Sequence, residues 1–243
     1  MRDPISGTIS GMVEIVAART FSSLYIWLDL AWLAGFTGLL LVYRRFLALL
    51  AGVAGGLIYF LVDYGLFYLA LGARAVDGAS AFWLLLWLSF SYGLTNFAWI
   101  WLLLDRDGRA LEWSLLIVTA WVAVALLSLN FGGGWPVIAN RRTTGGYHGV
   151  MALILFAGYL VLILRNLRTG PGIPGRAELG RLLAIGIGVQ LAWEAVLLLA
   201  GIRPSGWRAL AVNSLIETNL GIPYLYLIHR ALGERIGEDL RRR

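Results

Sequence analysis

The sequence predicts an all-α fold: a polytopic membrane protein built as a seven-transmembrane-helix bundle. Three observations carry that reading. Of 243 residues, 59% are hydrophobic and only 14% are charged. The mean hydropathy is +0.76, outside the range of soluble domains. Seven apolar runs, each long enough to cross a bilayer, are separated by short polar or glycine-rich breaks.

Residues 1–20 lack the basic start, apolar core and cleavage site of a signal peptide and read as a short interfacial N-terminal segment. The bundle occupies 21–232, with spans at about 24–42, 46–71, 80–104, 111–132, 147–165, 180–202 and 207–230. Tyr43-Arg44-Arg45 ends the first span, Gly72 to Gly78 the second and Asp105 to Arg109 the third. The glycine-rich link from Phe131 to Gly146 is expected to cap one end of the bundle. Arg165 to Arg181, with Pro171 and Pro174, reads as a flexible loop, and Ile202 to Gly206 joins the last two spans. Residues 233–243 form a basic tail.

All 20 basic residues are arginine. Without lysine there is no retinal Schiff base, and without cysteine no disulfide or thiolate metal site. His148 and His229 are too few and too far apart for a histidine metal centre. No metal or other cofactor is expected. The net charge of +6 reflects arginines at helix ends, not a nucleic-acid partner. With the N-terminus outside, 13 arginines fall on inner segments and the other 7 outside. That asymmetry predicts an integral protein of a bacterial inner membrane or its equivalent, N-out and C-in.

Helices two and three share a weak pattern with helices six and seven. Tyr59 to Asp63 parallels Gln190 to Glu194, and Thr95-Asn96 parallels Thr218-Asn219, suggesting a 3+1+3 pseudo-repeat.

The chemistry-bearing residues are acids inside the spans. Counting at 1.5 Å per residue sets Asp63, Glu194 and Glu217 roughly 12 to 15 Å below the outer boundary. Asp29 lies nearer that boundary, and no arginine is expected at this depth. Unpaired acids in an apolar layer hold protons and suit general-acid or proton-relay work. The chain also carries 11 Trp, 10 Tyr and 10 Phe. Many lie mid-helix, among them Tyr59, Tyr64, Phe67, Trp87, Tyr92 and Trp193, where ring faces pack the core and can stabilise cations.

Three stretches give the chain a family likeness: Asp29 to Phe36, Leu61 to Tyr68, and Ser214 to Tyr224 with Glu217, Gly221 and Tyr224. They resemble the first, second and seventh helices of the small membrane-integral terpene cyclases of meroterpenoid and indole-diterpene biosynthesis. That family places a glutamate in the second helix and an aspartate in the seventh; here position 63 is aspartate and position 217 glutamate. The resemblance implies a metal-independent cyclase in which Asp63 and Glu217 protonate a terminal alkene or epoxide and so start a carbocation cyclisation. Its substrate would be a farnesyl- or geranylgeranyl-type prenylated small molecule drawn from the lipid bilayer. The Trp193-Glu194 pair, in helix six, keeps Glu194 open as a third candidate acid. Tyr59, Tyr64, Phe67, Trp87, Tyr92, Asn96, Trp193, Asn219, Tyr224 and Asp29 are candidates for binding the substrate or stabilising its cation.

The competing reading is a small proton-coupled transporter using the same carboxylates. Such transporters carry helix-breaking prolines in corresponding helices, and Pro223 has no counterpart near Ile100.

Overall fold

The computed structural model describes residues 16–142, 147–169, 176–203 and 206–241. The expected interfacial segment up to residue 15, the Pro171–Pro174 loop and the last two arginines lie outside the described residues. Helices dominate. In order they are α1 (Ser23–Val42), α2 (Phe46–Phe60), α3 (Ala81–Leu104), α4 (Ala110–Phe131), α5 (His148–Thr169), α6 (Leu179–Leu199), α7 (Trp207–Ile216) and α8 (Ile222–Arg241). Among the described residues, six helical segments are long and apolar enough to cross a membrane: Ser23–Val42, Phe46–Ala70, Ala81–Leu104, Ala110–Gly134, His148–Thr169 and Leu179–Leu199.

α3 is the central element. Most of it is buried, from Leu84 to Leu104, whereas α1, α2 and α5 show large aliphatic faces outward. α2 packs closely on α3 because glycines line the seam. A Cβ on Gly52 would come 2.6 Å from the Leu94 carbonyl oxygen, and one on Gly93 would come 2.4 Å from the Gly56 nitrogen.

Two of the expected spans are irregular, and both irregularities fall on a candidate acid. The second span leaves the α-helix at Leu61 and continues to Ala70 as a π-helical segment containing Asp63. Its end is marked by the five-residue step from the Leu71 N–H to the Leu66 carbonyl, 2.9 Å. The run expected at 207–230 is not one continuous helix. It breaks at Glu217 and Thr218, passes through a 3-10 turn over Asn219–Gly221 and resumes as α8. Pro223, next to the restart, has no backbone N–H to offer the preceding turn, and its ring obstructs a helix running through. The turn fits against α6 at Gly186, where a Cβ would lie 2.5 Å from Asn219 Oδ1. The Tyr159 hydroxyl, on α5, holds the same Asn219 oxygen at 2.8 Å.

The helices are joined at one end by a feature the all-α expectation lacks. β1 (Val16–Ser22), β2 (Arg74–Asp77) and β3 (Val137–Arg142) form an antiparallel sheet in the order β1-β3-β2. β3 lies in the glycine-rich link expected to cap the bundle. Ile138 and Asn140 are buried while Val137 and Arg141 are exposed, the alternation of a strand with one covered face. Gly78 lets β2 run beside β3: its φ is +80°, and a Cβ there would meet the Val137 carbonyl oxygen at 2.5 Å.

A candidate substrate cavity under an arginine-bearing sheet

Strand register decides which side chains face the bundle. Arg74 pairs with Arg142, and Arg19 pairs with Asn140. A shift of register between Ala17 and Arg19 marks a bulge in β1, a device that re-aims a side chain. Arg19, Arg74 and Asn140 are buried on the inner face, and all three line one cavity together with Arg142.

That cavity holds about 750 Å³. Its walls come from α2 and the π segment on one side, α3 behind, and α5 and α8 on the other. It is apolar along most of its length, from Leu47, Leu50 and Ile58 to Val150, Met151, Ile154 and Ile228. Tyr59, Phe67, Tyr92, Phe97, Trp101, Tyr147 and Tyr224 contribute aromatic side chains. The polar groups gather under the sheet: Arg19, Arg74, Asn140, Arg142, Asp63 and Glu217.

The acids are not unpaired. Arg74 donates to Asp63 Oδ1 at 2.5 Å, Arg142 to Glu217 Oε1 at 3.1 Å, and Arg203 to Glu194 Oε1 at 2.7 Å. The depth count assumed that each link leaves the helix ends for water. Instead, two links turn back as strands and a third, carrying Arg203, is tied to β1 by the Thr20 N–H on the Ile202 carbonyl, 2.8 Å. A cross-strand Arg74–Arg142 pair would repel on its own, and the two carboxylates beneath offset that repulsion. Burial works against the charge on Arg142, but the carboxylates of Glu217, Glu194 and Asp63 outweigh it and hold its pKa above the usual arginine value. Burial, with Arg19 nearby, pushes Arg203 down to about 10 despite Glu194, which leaves it charged at neutral pH.

Gln190 ties the acids together. Its amide nitrogen donates to Glu194 Oε1 at 3.1 Å and to Glu217 Oε2 at 3.2 Å. Its oxygen accepts from the Tyr92 and Thr218 hydroxyls. A mid-helix glutamine four residues before Glu194 was a legible signal; the run from Val137 to Arg142 has no apolar–polar alternation to mark Asn140 and Arg142 as inward-facing.

The structure therefore brings Asp63, Glu217, Tyr59, Phe67, Tyr92 and Tyr224 to one cavity and sets the other candidates elsewhere. Glu194 is fully buried behind it, on Gln190, Arg203 and Asn213. Trp193 lies beneath the Arg19 guanidinium, 5.8 Å from its ring, and edge-on to Trp121. Tyr64 stacks between Phe60 and Tyr68. Asn219 is taken up by the broken turn, and Asn96 is buried in α3 with neither amide atom hydrogen-bonded to a described residue. Asp29 is fully buried in α1 and accepts from the Trp87 indole N–H at 2.9 Å, away from the cavity. Among the described residues no three His, Asp or Glu side chains gather as metal ligands would.

Comparison of the chain with models of known protein families, with curated proteins and with solved structures gave no significant match.

Proposed function

We propose that this chain is a membrane-integral terpene cyclase acting on a prenylated small molecule without a metal. The supporting observation is a cavity that pairs aromatic and aliphatic walls with two carboxyls, Asp63 and Glu217, under the sheet. A flexible polyene threads from the bilayer between α2 and α5 and lies along the apolar walls. Both carboxyls are paired to arginine in the resting structure, so one of them first takes up a proton, gives it to the terminal epoxide oxygen or alkene carbon, and returns to its arginine as the carboxylate. The resulting cation is attacked by the next double bond, forming a ring C–C bond. The last cation loses a proton, so the product is an isomer of the substrate. Tyr59 and Tyr92 present ring faces to the positive charge as it moves, and the dry walls keep water from ending the cascade early. The topology we assign is N-out and C-in. α7 and α8 together supply a seventh, broken crossing, and the first and last three crossings form the 3+1+3 arrangement around α4.

The experiment is direct. Membranes carrying the protein, given a farnesylated aromatic or its terminal epoxide, yield a ring-closed product of unchanged mass, and Asp63→Asn and Glu217→Gln each abolish it. An inert wild type over a broad panel, or full turnover in both variants, overturns the reading.

A second reading draws on a specific observation. Asp63 and Glu217 both occupy helix irregularities, as coupling residues do in transporters with discontinuous helices. Proteoliposomes acidified by substrate uptake, with the substrate recovered unchanged, would favour transport.

A further inference from the structure

The ion pairs under the sheet leave one cation over. Arg74, Arg142 and Arg203 each have a carboxylate, in Asp63, Glu217 and Glu194. Arg19 is in no ion pair with any described residue, yet it is only 8% exposed and borders the cavity. Among the described residues its guanidinium lies over the face of Trp193, and the Glu217 carboxylate, already paired with Arg142, is within electrostatic reach. A buried guanidinium without an anion is costly, and more so at membrane depth. Directly opposite in the strand register is Asn140, 1% exposed, which also borders the cavity and whose side chain makes no hydrogen bond with a described residue. Arg19 thus offers N–H donors into this space, and the neighbouring Asn140 amide, whose Oδ1 has no hydrogen-bond partner among the described residues, brings its NH2 to the same anion by turning about its last bond.

We propose that Arg19 and Asn140 form a subsite for one anionic head group, a carboxylate or a phosphate, carried by a single-tailed isoprenoid ligand. The guanidinium fork matches either anion by paired hydrogen bonds. Among the described residues the roof holds four guanidinia and three carboxylates, a surplus of one positive charge that a carboxylate neutralises and a phosphate more than neutralises. The rest of the ligand is apolar, because below Asp63 that wall is apolar but for the Tyr59 hydroxyl. From Asp63 to Leu47 the wall runs about 24 Å at 1.5 Å per residue, room for an extended isoprenoid chain. The choice of an isoprenoid tail rests on the cyclase reading; the anionic head does not.

The test is binding, not turnover. Protein purified in a neutral detergent is titrated calorimetrically with farnesoic acid, farnesyl phosphate and farnesol. The anionic ligands are expected to bind at least about tenfold more tightly than farnesol, the effect of one charge-assisted hydrogen-bonded contact. Arg19→Gln removes that preference and leaves farnesol binding unchanged; Arg19→Lys keeps most of it. Equal binding of farnesol and farnesoic acid by the wild type overturns the proposal, whether or not the variants fold. Two further arms separate the sources of the anion. Inorganic phosphate alone competes weakly if the tail contributes, and competition as strong as that of farnesyl phosphate overturns a tailed ligand. Displacement of farnesoic acid by a two-chain anionic phospholipid at equal concentration makes the occupant a bilayer lipid and also overturns it. Anion-selective binding without any cyclised product would reject the cyclase reading and leave this subsite standing.

Discussion

The Arg142 guanidinium lies 3.1 Å from the Glu217 carboxylate, reaching it from a strand across the break in the seventh helical run. This contact joins two local departures from regular structure. α7 stops at Ile216 and turns Glu217 toward the cavity; the link after α4 folds back as β3 and supplies the charge. Neither arrangement is stable alone in an apolar setting, since each would strand an ion.

The first prediction follows from that dependence. Arg142→Gln leaves Glu217 without its nearest cation and is expected to destabilise the protein by about 3 kcal/mol, as broken buried pairs do. The double variant Arg142→Leu with Glu217→Leu removes both charges and is expected to cost less than the two single changes summed. Unfolding in mixed micelles by graded SDS measures all three. Additive costs would show that the two charges do not act as a pair.

The glycine seam between α2 and α3 gives a second. An alanine at Gly93 would bring a methyl group within 2.4 Å of the Gly56 backbone nitrogen, and backbone cannot step aside. Gly93→Ala is expected to cost about 1 to 3 kcal/mol, the range for overpacking. At Gly65 a Cβ meets nothing within 4 Å, so Gly65→Ala should leave the thermal midpoint where it is or raise it. Equal midpoints for the two variants would contradict the seam.

The apolar spans were legible because twenty consecutive apolar residues leave a helix few alternatives in a bilayer. Six of the seven expected runs are helices of spanning length. The seventh was misread as continuous because composition does not register a turn that tertiary contacts with Gly186 and Tyr159 hold open. Depth put Asp63, Glu194 and Glu217 in one layer but did not tell which of them line the cavity: Asp63 and Glu217 do, and Glu194 lies behind it. Nor could their partners be read from depth: a depth count treats arginines in links as solvent-facing. The alternation that turns Arg74 and Arg142 inward shows only once the links are recognised as strands.

The aromatic lining yields a third prediction, which separates cyclisation from transport. Tyr59 sits edge-on to Tyr92 with ring centroids 4.8 Å apart, and both line the cavity. If these rings stabilise a moving cation, Tyr59→Phe keeps the face and most of the turnover. Tyr59→Leu loses it and is expected to slow ring closure about tenfold, the equivalent of one desolvated cation–π contact. The loss should fall on kcat, with KM nearly unchanged, because the cation exists only along the reaction path. Equal rates for Phe and Leu would remove Tyr59 from that role.

The fourth concerns Asp29, an acid of the membrane interior that lies off the cavity. Its carboxyl accepts from Trp87 and faces the Ser91 hydroxyl, so its work is to hold α1 on α3. Asp29→Asn keeps an acceptor for the indole N–H and is expected to leave both turnover and thermal midpoint unchanged. Asp29→Leu leaves that buried donor unsatisfied and should cost about 1 to 3 kcal/mol. The change would appear as a lower midpoint in a detergent melt, with KM unaltered. Should Asp29→Asn instead raise KM while the midpoint stays fixed, Asp29 belongs to the substrate site and the cavity extends further toward α1 than Trp87 allows.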